Sequence, residues 1–387
     1  MHSRDNIKKA LLVTTVSGFV PQFEMNNVHI LQEMGYEIHY ASNFNNVHYG
    51  SDNSRLDGTG IIRHQVDFVR SPFKLAANIR AYKQLKQVMK EEHYDMVHCH
   101  TPMGAVLARL AAKQYRKKGT KVFYTAHGFH FYKGAPLKNW LFFYPIEKWL
   151  SKYTDVLITI NKEDYKCAKA FCHKTATKVE YIPGVGINVR KYNKQERSDT
   201  EREKKRESIR RKLKIDEKSL LVISVGELNV NKNHILVIKA LAGIDDVCYV
   251  ICGEGEQREV LLREMKRLGV EDKVKLLGYC KDVKRLLTAA DVFILPSLRE
   301  GLSCSLQEAM AAALPIIASD VRGNRDLIDI NKGGILVNPK SVSQMQYAIK
   351  MVQKGKKEKM GEYNYCKIQD YSKEVVMKKM RKIYQMD

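Results

Sequence analysis

The sequence predicts an α/β protein of two domains, each built on a parallel sheet with helices on both faces. The chain has 387 residues, more than a single hydrophobic core usually serves. Short runs rich in Val, Ile and Leu alternate with helical patterns, and these runs lack the polar alternation of a sheet that faces solvent. The alternation occurs twice along the chain, which indicates two copies of one βαβ architecture.

The two series of apolar runs give the domain organisation. The predicted strands of the first series cover residues 10–17, 36–42, 94–99, 121–126, 154–161 and 178–183. Those of the second series cover residues 220–226, 247–253, 273–279, 291–297, 315–319 and 334–338. We therefore predict two Rossmann-like domains, residues 1–185 and 186–370. The charged stretch 189–215 is predicted to form a flexible connection and an exposed helix.

Composition limits the classes of function. The formal net charge of +23 suits an anionic partner, which could be nucleic acid, a phospholipid surface or a phosphorylated substrate. Apolar runs stay below the roughly 18 to 20 residues that cross a bilayer, and residues 1–9 do not resemble a signal peptide, so we expect a cytoplasmic protein. The eight cysteines show no paired metal-binding spacing and are interpreted as reduced thiols.

The topology predicts where a ligand binds. Ligands of open parallel sheets bind beyond the carboxyl ends of the strands, so two such sheets facing each other create an interdomain cleft. Candidate site residues should therefore follow strand ends.

The segment 291–311 is the most specific in the chain. After a predicted strand, Glu300 lies in a loop and Glu308 lies two turns into a helix, with the backbone N–H groups of Gly301, Leu302 and Ser303 at the helix start. A helix start attracts phosphate, and carboxylates accept hydrogen bonds from sugar hydroxyls. The combination suits a diphosphate sugar.

This Glu-x7-Glu segment, followed by Ala313-Leu-Pro315, resembles the retaining glycosyltransferases of family 4, which have the GT-B fold of two Rossmann-like domains. The resemblance covers nearly the whole chain. It implies that Glu308 holds the ribose hydroxyls of the nucleotide and that Glu300 contacts the donor sugar. It also implies that Gly301, Leu302 and Ser303 bind phosphate or sugar, and that the last helix, about 371–387, packs back on the first domain.

Further donor-binding residues follow from the same resemblance. Lys232, in the loop after the strand that ends near Gly226, would neutralise the diphosphate. The family commonly has Gly-Arg at the start of this loop, whereas this chain has Gly226-Glu227. Gly253 belongs to a Gly-x-Gly turn, and Tyr279 lies in a stretch that frames the nucleotide base in relatives.

In the first domain the chemically richest stretch is 124–134, which resembles the catalytic-loop histidine region of the family. By carry-over, His127 would position the sugar and stabilise developing positive charge, with His130 and Lys133 as acceptor-side candidates. Gly18 in the first loop is a further candidate. His98 and His100 alternate after a strand as metal ligands can, but no third ligand lies nearby in sequence, so no metal site is predicted.

The resemblance implies a metal-independent enzyme that moves a hexose or N-acetylhexosamine from a UDP-sugar to a glycan or polyprenyl-diphosphate-linked acceptor in cell-surface polysaccharide synthesis. The mixture of aromatic and basic residues in 137–153 suggests contact with an anionic membrane, which would place the protein on the inner face of the plasma membrane. The alternatives are a UDP-N-acetylhexosamine epimerase of similar fold and a basic nucleic-acid-binding protein. The sequence lacks the common nucleic-acid-binding motifs, so no nucleic acid is expected as a partner.

Overall fold

The computed structural model describes residues 7–50, 52–192, 199–355 and 357–386. Part of the polar opening segment, 1–6, and part of the predicted connection, 193–198, lie outside the described residues. The chain divides into two compact units, Met1–Val185 with Glu374–Asp387 and Gly186–Lys373. Within the described residues no helix is both long enough and apolar enough to cross a membrane.

The first unit contains a seven-stranded parallel sheet in the order β3-β2-β1-β4-β5-β6-β7. Its strands are β1 Lys9–Val13, β2 Glu37–Ser42, β3 Ile62–Gln65, β4 Met96–Cys99, β5 Lys121–Ala126, β6 Val156–Thr159 and β7 Lys178–Tyr181. Its helices are α1 Met25–Glu33, α2 Leu75–Glu91, α3 Pro102–Arg116, α4 Leu137–Leu150 and α5 Lys162–Cys172. A π-helical turn, Val20–Glu24, precedes α1.

The second unit contains a six-stranded parallel sheet in the order β10-β9-β8-β11-β12-β13. Its strands are β8 Leu220–Val225, β9 Val247–Cys252, β10 Val274–Leu276, β11 Val292–Leu295, β12 Ile316–Ser319 and β13 Gly334–Val337. Its first helices are α6 Asp199–Lys212, α7 His234–Leu241, α8 Arg258–Leu268, α9 Val283–Ala289 and α10 Cys304–Ala311. The remaining helices are α11 Arg322–Leu327, α12 Val342–Lys354, α13 Lys357–Ile368 and α14 Lys373–Tyr384. All of α14 except Lys373 belongs to the first unit.

The central strands are buried on both faces, as their unbroken apolar runs predict. In the first unit Leu11 and Val97 pack in a core with Leu85, Ala108 and Phe171 of the covering helices. Removing one such side chain from water stabilises a fold by roughly 1.5 to 3 kcal/mol, so each sheet is held mainly by the helices that cover it. The predicted fold class, two Rossmann-like domains with parallel sheets, is confirmed.

The prediction of an exposed connection over 189–215 is wrong for part of that stretch. Residues Val189–Tyr192 form a 3-10 turn in which Tyr192 is buried. In α6, Arg206 and Arg210 donate to the Asp291 carboxylate at 2.6 and 3.3 Å, and Arg210 is buried. These guanidinium groups are paired instead of solvated because Asp291 stands immediately before β11, beside the helix.

Both sheets reverse their strand order next to their first strand. In the first unit β1 lies between β2 and β4, and in the second β8 lies between β9 and β11. At such a switch point the chain leaves the two neighbouring strands toward opposite faces of the sheet, and a crevice remains beyond their carboxyl ends. The predicted site residues of the second unit, except Tyr279 after β10, follow its switch-point strands β8, β9 and β11. In the first unit Gly18 follows β1, whereas His127, His130 and Lys133 follow β5.

Candidate active site

In the second unit, the loops after β8 and β11 flank the switch point and are tied to each other. The Leu298 N–H donates to the Asn231 carbonyl at 2.7 Å, and the Asn231 side-chain amide donates to the Arg299 carbonyl at 3.0 Å. The Asn233 side-chain amide donates to the Pro296 carbonyl at 3.1 Å. These bonds fix the two loops as one surface.

Lys232 and Glu300 meet on this surface. The Lys232 Nζ lies 2.7 Å from Glu300 Oε1, with the two side chains 20% and 11% exposed. A Cβ added to Gly226 would stand 3.2 Å from Lys232 Cε, so the glycine leaves room for the lysine stem. The pair places a cation and a carboxylate at the carboxyl edge of the sheet, as a ligand with phosphate and hydroxyl groups requires.

The segment after Glu300 forms the start of α10. The Ser303 hydroxyl caps the helix by accepting from the Leu306 N–H at 3.3 Å. The Glu300 carbonyl accepts from Arg322 Nε at 3.1 Å, and a Cβ on Gly323 would stand only 2.2 Å from the Gly301 carbonyl oxygen. The loop from Glu300 to Ser303, which includes the buried Leu302, is therefore supported from behind by the start of α11.

Glu308 is half-buried on α10 and has a partner that its local sequence does not indicate. The Tyr192 hydroxyl donates a hydrogen bond to its carboxylate. Burial raises the pKa of Glu308, while this hydrogen bond and the charge of Lys191 act in the opposite direction. Burial and the neighbouring carboxylate raise the pKa of Tyr192, so its hydroxyl remains a donor.

The Gly-x-Gly turn after β9 lies beside the loop that follows β8. A Cβ on Gly253 would stand 1.9 Å from the Gly226 carbonyl oxygen, which no side chain could tolerate. The Gly253 N–H donates to the Gly278 carbonyl at 2.8 Å, and this bond brings Tyr279 next to the turn with its residue surface 70% exposed. In this structure Gly253 allows two backbones to approach, and the ring of Tyr279 is available to a ligand.

In the first unit, three side chains from separate loops converge. His127 follows β5, His100 follows β4, and Glu24 ends the π-helical turn after β1. The His127 Nε2 lies 3.2 Å from His100 Nδ1 and 3.3 Å from Glu24 Oε1. Glu24 and His100 are buried, and the His127 side chain is 22% exposed. His127 is thus the member of the group that reaches solvent.

Two further histidine interactions extend this group into the core. His98 contacts the Tyr384 hydroxyl through Nδ1 and the Thr125 hydroxyl through Nε2, both at 2.8 Å. Burial lowers the pKa of His98 to about 3, and it lowers the pKa of His100 well below its usual value. Both imidazoles are therefore neutral at physiological pH. The contact with Tyr384 anchors the last helix, α14, to β4.

Glu24, His100 and His127 could also hold a metal ion. Their nearest ligand atoms are 3.2 to 3.5 Å apart, close to the spacing of about 3.3 Å between neighbouring ligands of a tetrahedral zinc ion. Among the described residues this is the one group of three such side chains close enough to share an ion. The sequence alone does not indicate this group, because Glu24 lies far from both histidines along the chain.

The acceptor-side candidates Gly18, His130 and Lys133 have different surroundings. Gly18 is buried and donates to the Val47 carbonyl at 2.8 Å, where any Cβ would clash. His130 stacks on Phe143 with ring centroids 4.6 Å apart, and Lys133 is exposed. Gly18 and His130 therefore have packing functions in this structure, while Lys133 faces solvent.

Sequence comparison decides the family. The model for glycosyl transferases group 1 matches residues 205–366, and the glycosyl transferase 4-like model matches residues 8–161. EpsD of Bacillus subtilis, which is named as a glycosyltransferase, is 39% identical over 334 residues, 85% of this chain and 83% of EpsD. The chain is a family 4 glycosyltransferase. This membership favours transfer over the epimerase and nucleic-acid-binding alternatives.

A second relative of this family 4 glycosyltransferase has a more specific name. The Escherichia coli UDP-Gal:alpha-D-GlcNAc-diphosphoundecaprenol alpha-1,3-galactosyltransferase is 29% identical over 287 residues, 70% of this chain and 71% of its own length.

Solved structures share the GT-B fold of the family 4 glycosyltransferase at low sequence identity. HepE of Anabaena in complex with UDP-glucose aligns with a TM-score of 0.75 and 18% identity over 98% of this chain and 99% of HepE. WaaG, a glycosyltransferase involved in lipopolysaccharide biosynthesis, aligns with a TM-score of 0.72 and 17% identity over 98% of this chain and 100% of WaaG. These similarities establish the fold.

Proposed function

We propose that the protein is a retaining glycosyltransferase that transfers a hexose or N-acetylhexosamine from a UDP-sugar to a glycan or polyprenyl-diphosphate-linked acceptor. The acceptor would belong to cell-surface polysaccharide synthesis, and the enzyme would work in the cytoplasm at the inner face of the plasma membrane. One observation carries the donor assignment: the pairing of Lys232 with Glu300 at the switch point, next to the start of α10. Relatives support it, since HepE binds UDP-glucose and the E. coli enzyme is named for UDP-Gal and a diphosphoundecaprenol acceptor.

The geometry supports a division of roles in the second unit. When the bond between the sugar and UDP breaks, its electron pair leaves with the diphosphate, so a nearby cation stabilises the transition state. Lys232 is that cation, and the N–H groups of Gly301, Leu302 and Ser303 add their dipoles. Glu308 accepts from the ribose hydroxyls. The exposed ring of Tyr279, beside Gly253, packs on the base.

Donor binding then changes the partner of Lys232. In the structure its ammonium is bound by Glu300, and a diphosphate would compete for the same group. The exchange would release the Glu300 carboxylate to accept hydrogen bonds from the donor sugar. His127 is proposed to contact the reacting sugar, and Lys133 to contact the acceptor.

We propose that the donor phosphates need no metal ion, because Lys232 and the helix start neutralise them. The decisive experiment is calorimetry with UDP, GDP, ADP and their common sugars, with and without EDTA. We expect a UDP-sugar to bind with an affinity that EDTA does not change. Preference for GDP, or binding that EDTA abolishes, would overturn the donor or the metal assignment respectively.

Substitutions test whether UDP-sugar binding depends on Lys232. Lys232→Ala should lower UDP-sugar affinity at least tenfold, whereas Lys239→Ala, which removes an ion-paired lysine on α7, should not. Retention is tested on the product, where NMR of the new linkage should show the anomeric configuration of the donor. An inverted linkage would exclude the retaining mechanism.

A further inference from the structure

The solvent-facing side of α4 is apolar. Leu137, Leu141 and Phe142 are exposed, whereas Trp140 and Tyr144 on the other side pack against the core of the first unit. An exposed helix face normally carries polar side chains, because apolar side chains there gain nothing from folding. Contiguous exposed apolar residues on a folded domain mark an interaction surface.

A second exposed apolar face adjoins the first. It begins at Phe73, just before α2, and continues with Leu75 and Ile79 on the first turns of that helix. The rings of Phe73 and Phe142 are 6.1 Å apart, so the two faces meet. We call this surface the apolar platform; its members, each between 41% and 80% exposed, are Phe73 79%, Leu75 70%, Ile79 55%, Leu137 72%, Leu141 71% and Phe142 42%.

The segments that carry the platform are basic. Exposed cations are interspersed with the platform residues on both segments: Lys74, Arg80, Lys83, Lys138 and Lys148. The sequence has no Asp or Glu from residue 68 to residue 90. The one acidic residue between 133 and 152 is Glu147, which is buried and accepts from Arg109 at 2.8 Å. The exposed charge on these two segments is therefore positive, and the nearest carboxylate before them, Asp67, is paired with Arg80 at 3.4 Å.

We propose that the apolar platform inserts among the headgroups of an anionic phospholipid bilayer, with these lysines and arginines contacting lipid phosphates. Apolar side chains bordered by cations match the boundary between acyl chains and anionic headgroups. A second copy of the chain fits less well, because symmetric pairing of two platforms would bring like charges together. The proposal rests on the proposed function in one respect: docking would present the site to an acceptor that is itself anchored in the membrane.

Vesicle co-sedimentation of the full chain tests the proposal. We expect at least tenfold stronger binding to vesicles of 30% phosphatidylglycerol in phosphatidylcholine than to phosphatidylcholine alone, with a steep loss at high salt. The triple variant Phe73→Ser, Leu141→Ser, Phe142→Ser should lose at least tenfold in binding. Because all three residues are exposed, its unfolding midpoint should stay within about 1 °C of the parent.

Two matched variants separate the contributions. Tyr347→Ser with Met351→Ser removes exposed apolar residues from α12 in the second unit and should leave vesicle binding unchanged. Lys74→Glu with Lys138→Glu should reduce binding to anionic vesicles while leaving the platform apolar. Equal binding of parent and triple variant, or of anionic and neutral vesicles, would overturn the proposal.

Trp149 gives an independent readout, because it is exposed on the same helix and the chain has two tryptophans. Its fluorescence should shift to the blue and be quenched by brominated lipid in the parent, and not in the triple variant. If the triple variant instead abolished self-association and vesicles bound neither protein, the platform would be a contact between copies.

Membrane docking and the proposed glycosyltransferase function can be tested independently. The triple variant should bind a UDP-sugar like the parent, and Lys232→Ala should bind vesicles like the parent. With a short water-soluble acceptor the triple variant should keep its rate, whereas with a lipid-linked acceptor in vesicles it should lose at least tenfold. Vesicle binding without any sugar transfer would refute the function and leave the docking surface standing.

Discussion

The two units place polar groups at equivalent topological positions but handle charge differently. In the second unit Lys232 and Glu300 form a partly exposed ion pair at the switch point. In the first unit Glu24 and His100 are buried, and burial keeps the imidazole of His100 neutral. An ion pair at the surface can exchange a partner with an incoming charged ligand, whereas a buried group is fixed before the ligand arrives. We therefore expect the second unit to respond to the donor and the first to be preorganised.

The largest expected effect comes from removing one member of the Lys232–Glu300 ion pair. Glu300→Ala should lower kcat about 10³-fold, because it removes a group proposed to contact the reacting sugar. The donor Kd should change less than tenfold, since Lys232 remains and loses its competitor. Steady-state kinetics together with calorimetry measure both quantities.

Glu264→Ala is the matched control for this variant. Glu264 is also an ion-paired carboxylate, bound to Arg267 at 2.7 Å on α8, with a side chain 14% exposed. It should leave kcat within about twofold of the parent. If Glu300→Ala behaved like Glu264→Ala, the assignment of Glu300 would be wrong.

Substitutions in the Glu24–His100–His127 group of the first unit should lower kcat to different degrees. His127→Ala should lower kcat roughly 10²-fold, and Glu24→Gln, which keeps the size of the side chain, about tenfold because the imidazole loses its charged neighbour. Neither variant should change the donor Kd more than about threefold. Glu37→Gln removes the carboxylate of another Glu–His pair, 2.9 Å from His39 at the opposite end of the strands, and should be silent.

A metal ion at Glu24, His100 and His127 would change this comparison. Elemental analysis of the purified protein, repeated after dialysis against EDTA, distinguishes a hydrogen-bonded group from a metal-bound one. If Glu24→Gln lost a stoichiometric ion together with its activity, the first unit would owe its preorganisation to the metal.

Glu308 gives a further test of the second unit, because its ionised carboxylate should strengthen donor binding and lower the stability of the fold. Burial raises its pKa above the ordinary value of 4.5. The stability contributed by the protonated form is therefore fully present below pH 4.5 and is lost as the pH rises through the folded-state pKa. Glu308→Gln should unfold at the same or a higher temperature than the parent at pH 7, and the difference should shrink as the pH falls.

The same variant should bind a UDP-sugar about tenfold more weakly at pH 7, because a neutral amide accepts less strongly from ribose hydroxyls. Calorimetry and thermal unfolding on one sample test both statements. A variant that lost stability and kept its affinity would show that Glu308 is a structural residue.

The two sites also differ in how far the sequence predicts them. The parallel sheets follow from unbroken apolar runs, and Glu300 and Glu308 belong to one contiguous strand–loop–helix segment, so their proximity could be predicted. Glu24 could not be predicted, because it meets His127 only after β1 and β5 are placed in one sheet. Tyr192 was hidden by the charged residues that follow it, which made its stretch look solvated. Residues that act through distant partners leave no local pattern.

Tyr192 gives the smallest expected effect and the most specific test of the second unit. Its hydroxyl donates to the ionised Glu308 and thereby lowers a pKa that burial raises. Tyr192→Phe removes this bond and keeps the ring, so the pKa of Glu308 should rise further. Donor affinity should fall only about threefold at pH 7. As the pH is lowered, the affinity should be lost at a higher pH than in the parent, because Glu308 becomes protonated at a higher pH. Calorimetric titrations with a UDP-sugar from pH 5 to 8 measure the displacement, and Tyr347→Phe on α12 should leave the profile unchanged. A uniform loss of affinity at every pH would mean that Tyr192 contacts the donor directly instead of acting through Glu308.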